Sequence, residues 1–250
     1  SAASRRIDFT ISLAQWSLHR TLRSGALDNL DFPAKAKEDF GIDAVEYVST
    51  FFRDKAEDRS YLSDLKRRTD DLGVRNVLIM IDGEGNLAST DRSERRRSVE
   101  NHHKWVDAAA RLGCHAIRVN LYGTGTAEEW TSASVESLGR LAEYGGRNRI
   151  RILVENHGGF SSNGRMVAEV MRQVGSPWAG TLPDFGNFCI RREEGRCAEA
   201  YDPYQGTREL MPFEGGVSAK TYDFDENGME TTIDFRRMFR ILQEFGFSGF

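Results

Sequence analysis

The chain of 250 residues is predicted to fold as one closed (β/α)8 barrel of parallel strands. Short β-rich runs alternate with helical stretches, polar side chains stand at the end of most runs, and no Pro/Gly/Ser-rich linker splits the series. The first run, 9–14, leads to Gln15 and His19. The second, 44–48, carries Glu46, and the third, 76–81, ends on Asp82. The fourth, 116–122, contains Asn120; the fifth, 150–154, runs into Glu155 and His157. The sixth, 179–182, precedes Asp184 and Asn187, and the seventh, 216–219, ends on Lys220. An open doubly wound sheet would gather its ligands at one switch point, whereas a barrel collects them from many strand ends.

The intervening helices follow from apolar side chains at a 3.6-residue period. Trp105, Ala109 and Leu112 share one face; Val135, Leu138, Leu141 and Ala142 share another. Phe235, Met238, Phe239, Leu242 and Phe245 mark the last helix. Residues 247–250 would only begin an eighth strand, so that strand reads as truncated at the C-terminus. The expectation is a single domain over 1–250, with the edges of strands one and seven unpaired until another segment covers them.

Composition excludes several functions. Lys and Arg number 34 against 38 Asp and Glu, a net charge of −4, which lacks the basic excess of a nucleic-acid binder. The longest strongly apolar run, 77–81, is far short of the roughly 20 residues of a membrane span. Aromatic residues at 10% supply a core and argue against disorder. Cys114, Cys189 and Cys197 form no C-x-x-C pair and read as buried or free thiols. The start Ser1-Ala2-Ala3-Ser4 lacks methionine, which fits a cytoplasmic protein or one exported after N-terminal trimming.

Four motifs read more simply as structure. The stretch 82–88 has G-x-G-x-x-A spacing, but Asp82 and Glu84 would repel a pyrophosphate, leaving a glycine-rich strand-to-helix loop. The stretch 223–234 resembles a calcium loop, yet its last position is Asp234 and a strand precedes it; it reads as a turn before the last helix. His102 and His103 read as solvated or rim histidines, and 92–97 as a solvated helix start.

The chemistry concentrates on three successive strand ends. Glu155 and His157 are two residues apart and face the same side of their strand. Asp184 ends the next run and Lys220 the one after. A carboxylate and an imidazole at one barrel mouth suit a divalent metal or proton transfer.

With those residues in place, the chain resembles the xylose isomerase-like TIM barrel family of sugar isomerases and epimerases (the AP endonuclease family 2 superfamily), which includes endonuclease IV. The resemblance runs from Ile11-Ser12-Leu13-Ala14-Gln15-Trp16 to the start of strand eight. Its most telling pieces are Gly41-Ile42-Asp43-Ala44-Val45-Glu46, Val154-Glu155-Asn156-His157 and Asp184-Phe185-Gly186-Asn187. It implies a divalent ion (Mn, Mg, Co or Zn) held by Glu, Asp, His and Glu from strands five to eight. Glu155 and Asp184 match the first two; Ser218 stands where the His is expected, and the fourth ligand would lie beyond Phe250. The ion would therefore bind weakly unless His157 or water completes its shell.

The implied reaction removes a proton next to a carbonyl and stabilises the enediolate. Glu155 would be ligand and proton shuttle, and Lys220 would stabilise the negative oxygen. Trp16 would be a plate for a sugar face; His19, Asn120, His157 and Asn187 would meet hydroxyls. A lyase acting on a keto-sugar or cyclitol and a non-catalytic carbohydrate-binding barrel are the alternatives. A DNA-repair role like that of endonuclease IV is disfavoured for want of histidines and a basic groove. The expected partner is a small carbohydrate, with neither nucleic acid nor membrane, and a homo-oligomer is compatible with the sequence.

Overall fold

The computed structural model describes residues 8–250. The first run is divided into β1 (Asp8–Phe9) and β2 (Leu13–Ala14), followed by α1 (His19–Arg23) and α2 (Phe32–Phe40). Strands and helices then alternate through β3 (Ala44–Val48), α3 (Arg59–Leu72), β4 (Arg75–Met80), α4 (Arg92–Leu112), β5 (Ala116–Val119), α5 (Ala127–Arg147), β6 (Arg151–Glu155), α6 (Gly164–Val174) and β7 (Ala179–Leu182). An antiparallel hairpin, β8 (Cys189–Glu193) and β9 (Arg196–Ala200), precedes α7 (Pro203–Leu210), α8 (Phe235–Phe245) and β10 (Ser248–Gly249). Side chains that accept the free N–H groups of a first turn start the longer helices: Asp58, Asp91, Asn163 and Asp234 cap α3, α4, α6 and α8, and Thr126 with Glu129 forms a capping box on α5.

Strands β2 to β7 form one parallel sheet in chain order, as in a TIM barrel and unlike a doubly wound sheet, in which the order reverses. The seventh position is filled irregularly. Gly215 N–H donates to Thr181 O (3.0 Å) and Ser218 N–H to Pro183 O (2.9 Å), so residues 214–218 lie beside β7 through isolated bridges. A Cβ on Gly215 would come within 2.6 Å of the Leu153 side chain, so a larger residue there would have to push that side chain aside. The expected strand 216–219 is thus a bridged segment displaced toward 214. The edges expected to be unpaired have partners at this end of the barrel. Val217 N–H donates to Phe250 O (2.9 Å), Thr10 N–H donates to Gly249 O (2.7 Å), and β10 runs parallel to β1.

Two apolar layers follow from strand alternation. The outward side chains of the sheet pack under the helices around Trp105, Trp130, Tyr47 and Phe32, all fully buried. The inward side chains Ala44, Val48, Leu78, Met80, Ala116, Leu153 and Leu182 fill the barrel interior. Continuing two residues along those strands brings Glu46, Arg118, Glu155 and Asp184 to the same inner side. Among the described residues no helix is long and apolar enough to cross a membrane.

Several expectations are corrected. Cys189 and Cys197 are not free thiols: one on each strand of the hairpin, at a Cα–Cα distance of 5.8 Å, they form a disulfide, while Cys114 is free and buried. The odd total concealed one pair. His102 is not solvated; it is buried, its Nδ1 lies 2.6 Å from Ser98 O, and burial pushes its pKa down to about 4. Within 92–97, Arg95 is buried and donates to Ser89 O and to Glu136. On α8, Met238 and Leu242 are buried with Ile241, and Phe235 and Phe239 pack half-buried on Phe185 in the same cluster; of the expected face only Phe245 is exposed. The loop and turn readings hold: Glu84 accepts from Trp105 Nε1 (2.7 Å), and Asp234 caps α8.

Candidate active site

Arg118 is a charged residue in the middle of β5, between the fully buried Ile117 and Val119. Its side chain points inward. Nε lies 2.6 Å from Glu155 Oε2, with the two side chains only 5% and 6% exposed. Neither of these two atoms makes a hydrogen bond elsewhere. The other arm of the guanidinium donates to Asp82 Oδ1 at 2.9 Å, and Asn120 Nδ2 donates to the same oxygen at 3.0 Å. Burial opposes the charge on Arg118, but Glu155 and Asp82 outweigh it and hold the guanidinium protonated. Burial would raise Asp82 too; Arg118 outweighs it and keeps that carboxyl below its usual range.

Asp184 follows β7 and is tied down on every side. Its Oδ1 accepts the N–H groups of Gly186 (2.8 Å) and Asn187 (2.9 Å), and its Oδ2 accepts from Ser218 Oγ (2.8 Å). Asn156, fully buried, clasps the Asp184 backbone by accepting from its N–H and donating to its carbonyl. Burial, reinforced by Glu155, pushes the Asp184 carboxyl upward. Glu46 receives a hydrogen bond from Ser12 Oγ (2.6 Å), and burial raises its pKa to about 7, with a further push from Glu155. Three buried carboxyls therefore share the inner wall of the barrel.

The other expected residues fall at different distances from this group. Asn187 Nδ2 donates to Glu155 Oε1 (3.2 Å). His157 pairs through Nδ1 with Tyr122 OH (2.5 Å); burial, with Arg118 and Lys220, holds the imidazole below its usual pKa. The chain leaves β6 there through Gly158 (φ 89°) and Gly159 (φ 60°), conformations that favour glycine. Lys220 lies over the Tyr222 ring at 5.8 Å and makes no ion pair among the described residues. Its charge is felt at both Asp184 and His157.

Trp16 and His19 are stacked on each other at 4.8 Å. Trp16 lines a hollow of about 490 Å³ with Leu22, Arg23, Phe51, Arg53 and Asp82, which connects it to the charged group. No contact brings His19 to the carboxyls. Gln15 is absorbed by the scaffold, donating to Asn29 and accepting from Val48 N–H. A hollow of about 530 Å³ is lined by residues of α5 and α6, among them Ala127 and Gln173, and includes none of the inner-wall carboxyls.

Sequence reasoning missed Arg118, Tyr122 and Asn156, and it placed Glu46 at the mouth without a role. The available signal was a lone arginine inside an apolar strand, two positions before Asn120.

The expected divalent ion meets an unsuitable donor set. Each carboxyl oxygen of Glu155 and Asp184 already faces a protein donor: Asn187 and Arg118 for the first, two backbone N–H groups and Ser218 for the second. Among the described residues no group of three His, Cys, Asp or Glu is placed to hold a metal ion. The residues as arranged do not fit a metal ion.

The family model described as xylose isomerase-like TIM barrel matches residues 34–250. No curated protein matches the chain. Among solved structures, L-ribulose 3-epimerase is similar with a TM-score of 0.68 at 20% identity, over 96% of this chain and 80% of that one. The 3-keto-D-glucoside 4-epimerase of E. coli gives 0.66 at 13% identity, over 85% of this chain and 81% of its own. The zinc-bound IolI protein gives 0.71 at 15% identity, over 96% and 88%. At these identities the likeness is one of fold.

Proposed function

Because the chain belongs to the xylose isomerase-like TIM barrel family, we propose that it is an isomerase or epimerase of a sugar or sugar derivative, working by transfer of a proton on a carbon beside a carbonyl. The observation that carries this reading is the inner wall itself: Glu155, Asp184 and Glu46 buried together, with Arg118 and Lys220 as the positive groups beside them. The structural neighbours named as epimerases of a ketose and of a keto-glucoside act on substrates of this class.

Glu155 takes the proton from the α carbon. Asp184, whose carboxyl is pushed upward by burial, holds a proton near neutrality and returns it. Lys220, free of an ion pair, meets the oxygen that gains charge, and Trp16 offers an apolar plate to the sugar face. Asn120, His157 and Asn187 orient hydroxyls; His19 extends the Trp16 plate by stacking. No step is routed through a metal.

The test is deuterium uptake from heavy water into a panel of ketoses, aldoses and keto-sugars. Exchange at the α carbon is expected, and Glu155→Gln should abolish it while leaving the fold intact. Exchange accompanied by loss of a β substituent would identify a lyase. Binding without any exchange would leave a carbohydrate-binding barrel.

A further inference from the structure

We propose that the fixed cation of this mouth is the Arg118 guanidinium, and that it keeps a divalent ion off Glu155, which with Asp184 would otherwise hold one. The inference goes beyond the proposed reaction and needs no substrate to be examined.

Three observations support it. Arg118 is buried and wedged between Glu155 and Asp82, with atoms 2.6 and 2.9 Å from their oxygens, so its charge cannot be moved aside without leaving the buried Glu155 carboxylate uncompensated and the half-buried Asp82 without its partner. Metal–carboxylate distances are about 2.0–2.2 Å, so an ion on Glu155 Oε2 would lie within about 5 Å of the guanidinium and be repelled by it. Finally, the groups that would complete a shell are engaged: Ser218 donates to Asp184, and His157 is held through Nδ1 by Tyr122, which leaves it one ring nitrogen.

A carbonyl or enediolate oxygen entering this mouth is therefore met by the Lys220 amine, in a field fixed by the Arg118 guanidinium rather than by a metal ion. A guanidinium is permanently charged, offers several donors in one plane and cannot be removed by a chelator. The ligand class it favours is a neutral carbonyl sugar whose charge develops only during reaction.

The test uses the whole chain. Metal content as purified is measured, and the chelator-treated protein is titrated calorimetrically with Mn²⁺, Mg²⁺, Co²⁺ and Zn²⁺. Far less than one equivalent of bound metal is expected, with a melting temperature unmoved by chelator. Arg118→Met should raise affinity for Mn²⁺ or Zn²⁺ at least tenfold, and adding Glu155→Gln should cancel that gain. One equivalent of ion in the unaltered protein, lost in Glu155→Gln, would overturn the proposal. So would a folded Arg118→Met variant with no gain in affinity. If that variant does not fold, metal content and titration of the unaltered protein decide alone. Failure here leaves the proton-transfer reading standing, because that reading is judged by isotope exchange.

Discussion

Glu46 lies between Ala44 and Val48 on the barrel-facing side of β3, where burial raises its carboxyl from 4.5 to about 7. Between those values folding takes up a proton. The stability Glu46 contributes is fully present below about 4.5 and is lost as pH rises through about 7. Glu46→Gln keeps an acceptor for Ser12 but has no proton to lose. It should gain about 1–3 kcal/mol relative to the unaltered protein between pH 5 and pH 8, read from urea unfolding at both values. Parallel pH profiles would show that Glu46 is not the titrating group. Lys220 belongs to the chemistry instead. Lys220→Met should lower the exchange rate about 10²-fold with little change in KM, as expected for a group that stabilises charge only in the transition state. An equal loss in KM alone would make it a substrate anchor. At this scale alternation set Glu155 and His157 on one side of their strand and Asp184 was legible only as the end of the next one; the inward turn of both carboxyls comes from the structure. Alternation gives the side but not the register between neighbouring strands, so the pairing of Arg118 with Glu155 and Asp82 from the strands beside it could not be read from spacing.

Elements were legible where one residue period ran unbroken. Trp105, Ala109 and Leu112 bury as the period of α4 requires, as do Leu138, Leu141 and Ala142 on α5. On α8 the period holds for Phe235, Met238, Phe239 and Leu242, with Phe239 also stacked on Phe9 at 5.5 Å, and fails only at Phe245, which the core cluster does not reach. The hairpin β8–β9 was invisible for a different reason. Its β9 is exposed along its length and carries no apolar alternation, so the disulfide rather than a core holds its strands together. Its base is nevertheless anchored, since Phe188 is buried and its neighbour Asn187 reaches Glu155. The bridge closes a loop only 8 residues apart in sequence, so it constrains the hairpin locally. Reduction should therefore speed proteolytic cleavage within 189–200 while lowering the melting temperature by less than about 5 °C. Unchanged cleavage would show that the hairpin is ordered without its bridge.

At the scale of the whole molecule, the order of strands around the barrel was legible because parallel strands with short crossovers leave few topologies. Closure was not, because it depends on segments with little β propensity. Residues 214–218 contain Gly215 and Gly216, and β10 is Ser248–Gly249; neither has the β-branched pattern that marks a strand. The barrel thus joins two unequal parts: a ladder from β2 to β7, and a seam in which single hydrogen bonds link β7 to 214–218, Val217 to Phe250 and Thr10 to Gly249. Opening a seam held by isolated bonds exposes less buried surface than separating β5 from β6, whose Ile117, Val119, Ile152 and Val154 are all fully buried. Local opening should therefore begin there. Hydrogen exchange is expected to be at least tenfold faster at the amides of Thr10 and Val217 than at Ile152 and Val154. The inner wall would be affected unequally: Asp184 leans on Ser218 at the seam, while Glu155 and Arg118 lie within the ladder. A sugar ligand that spans Glu155 and Lys220 should slow exchange at Val217 more than at Ile152, because it ties the seam to the ladder. Equal protection of seam and ladder in the free protein would mean that the barrel opens only as a unit.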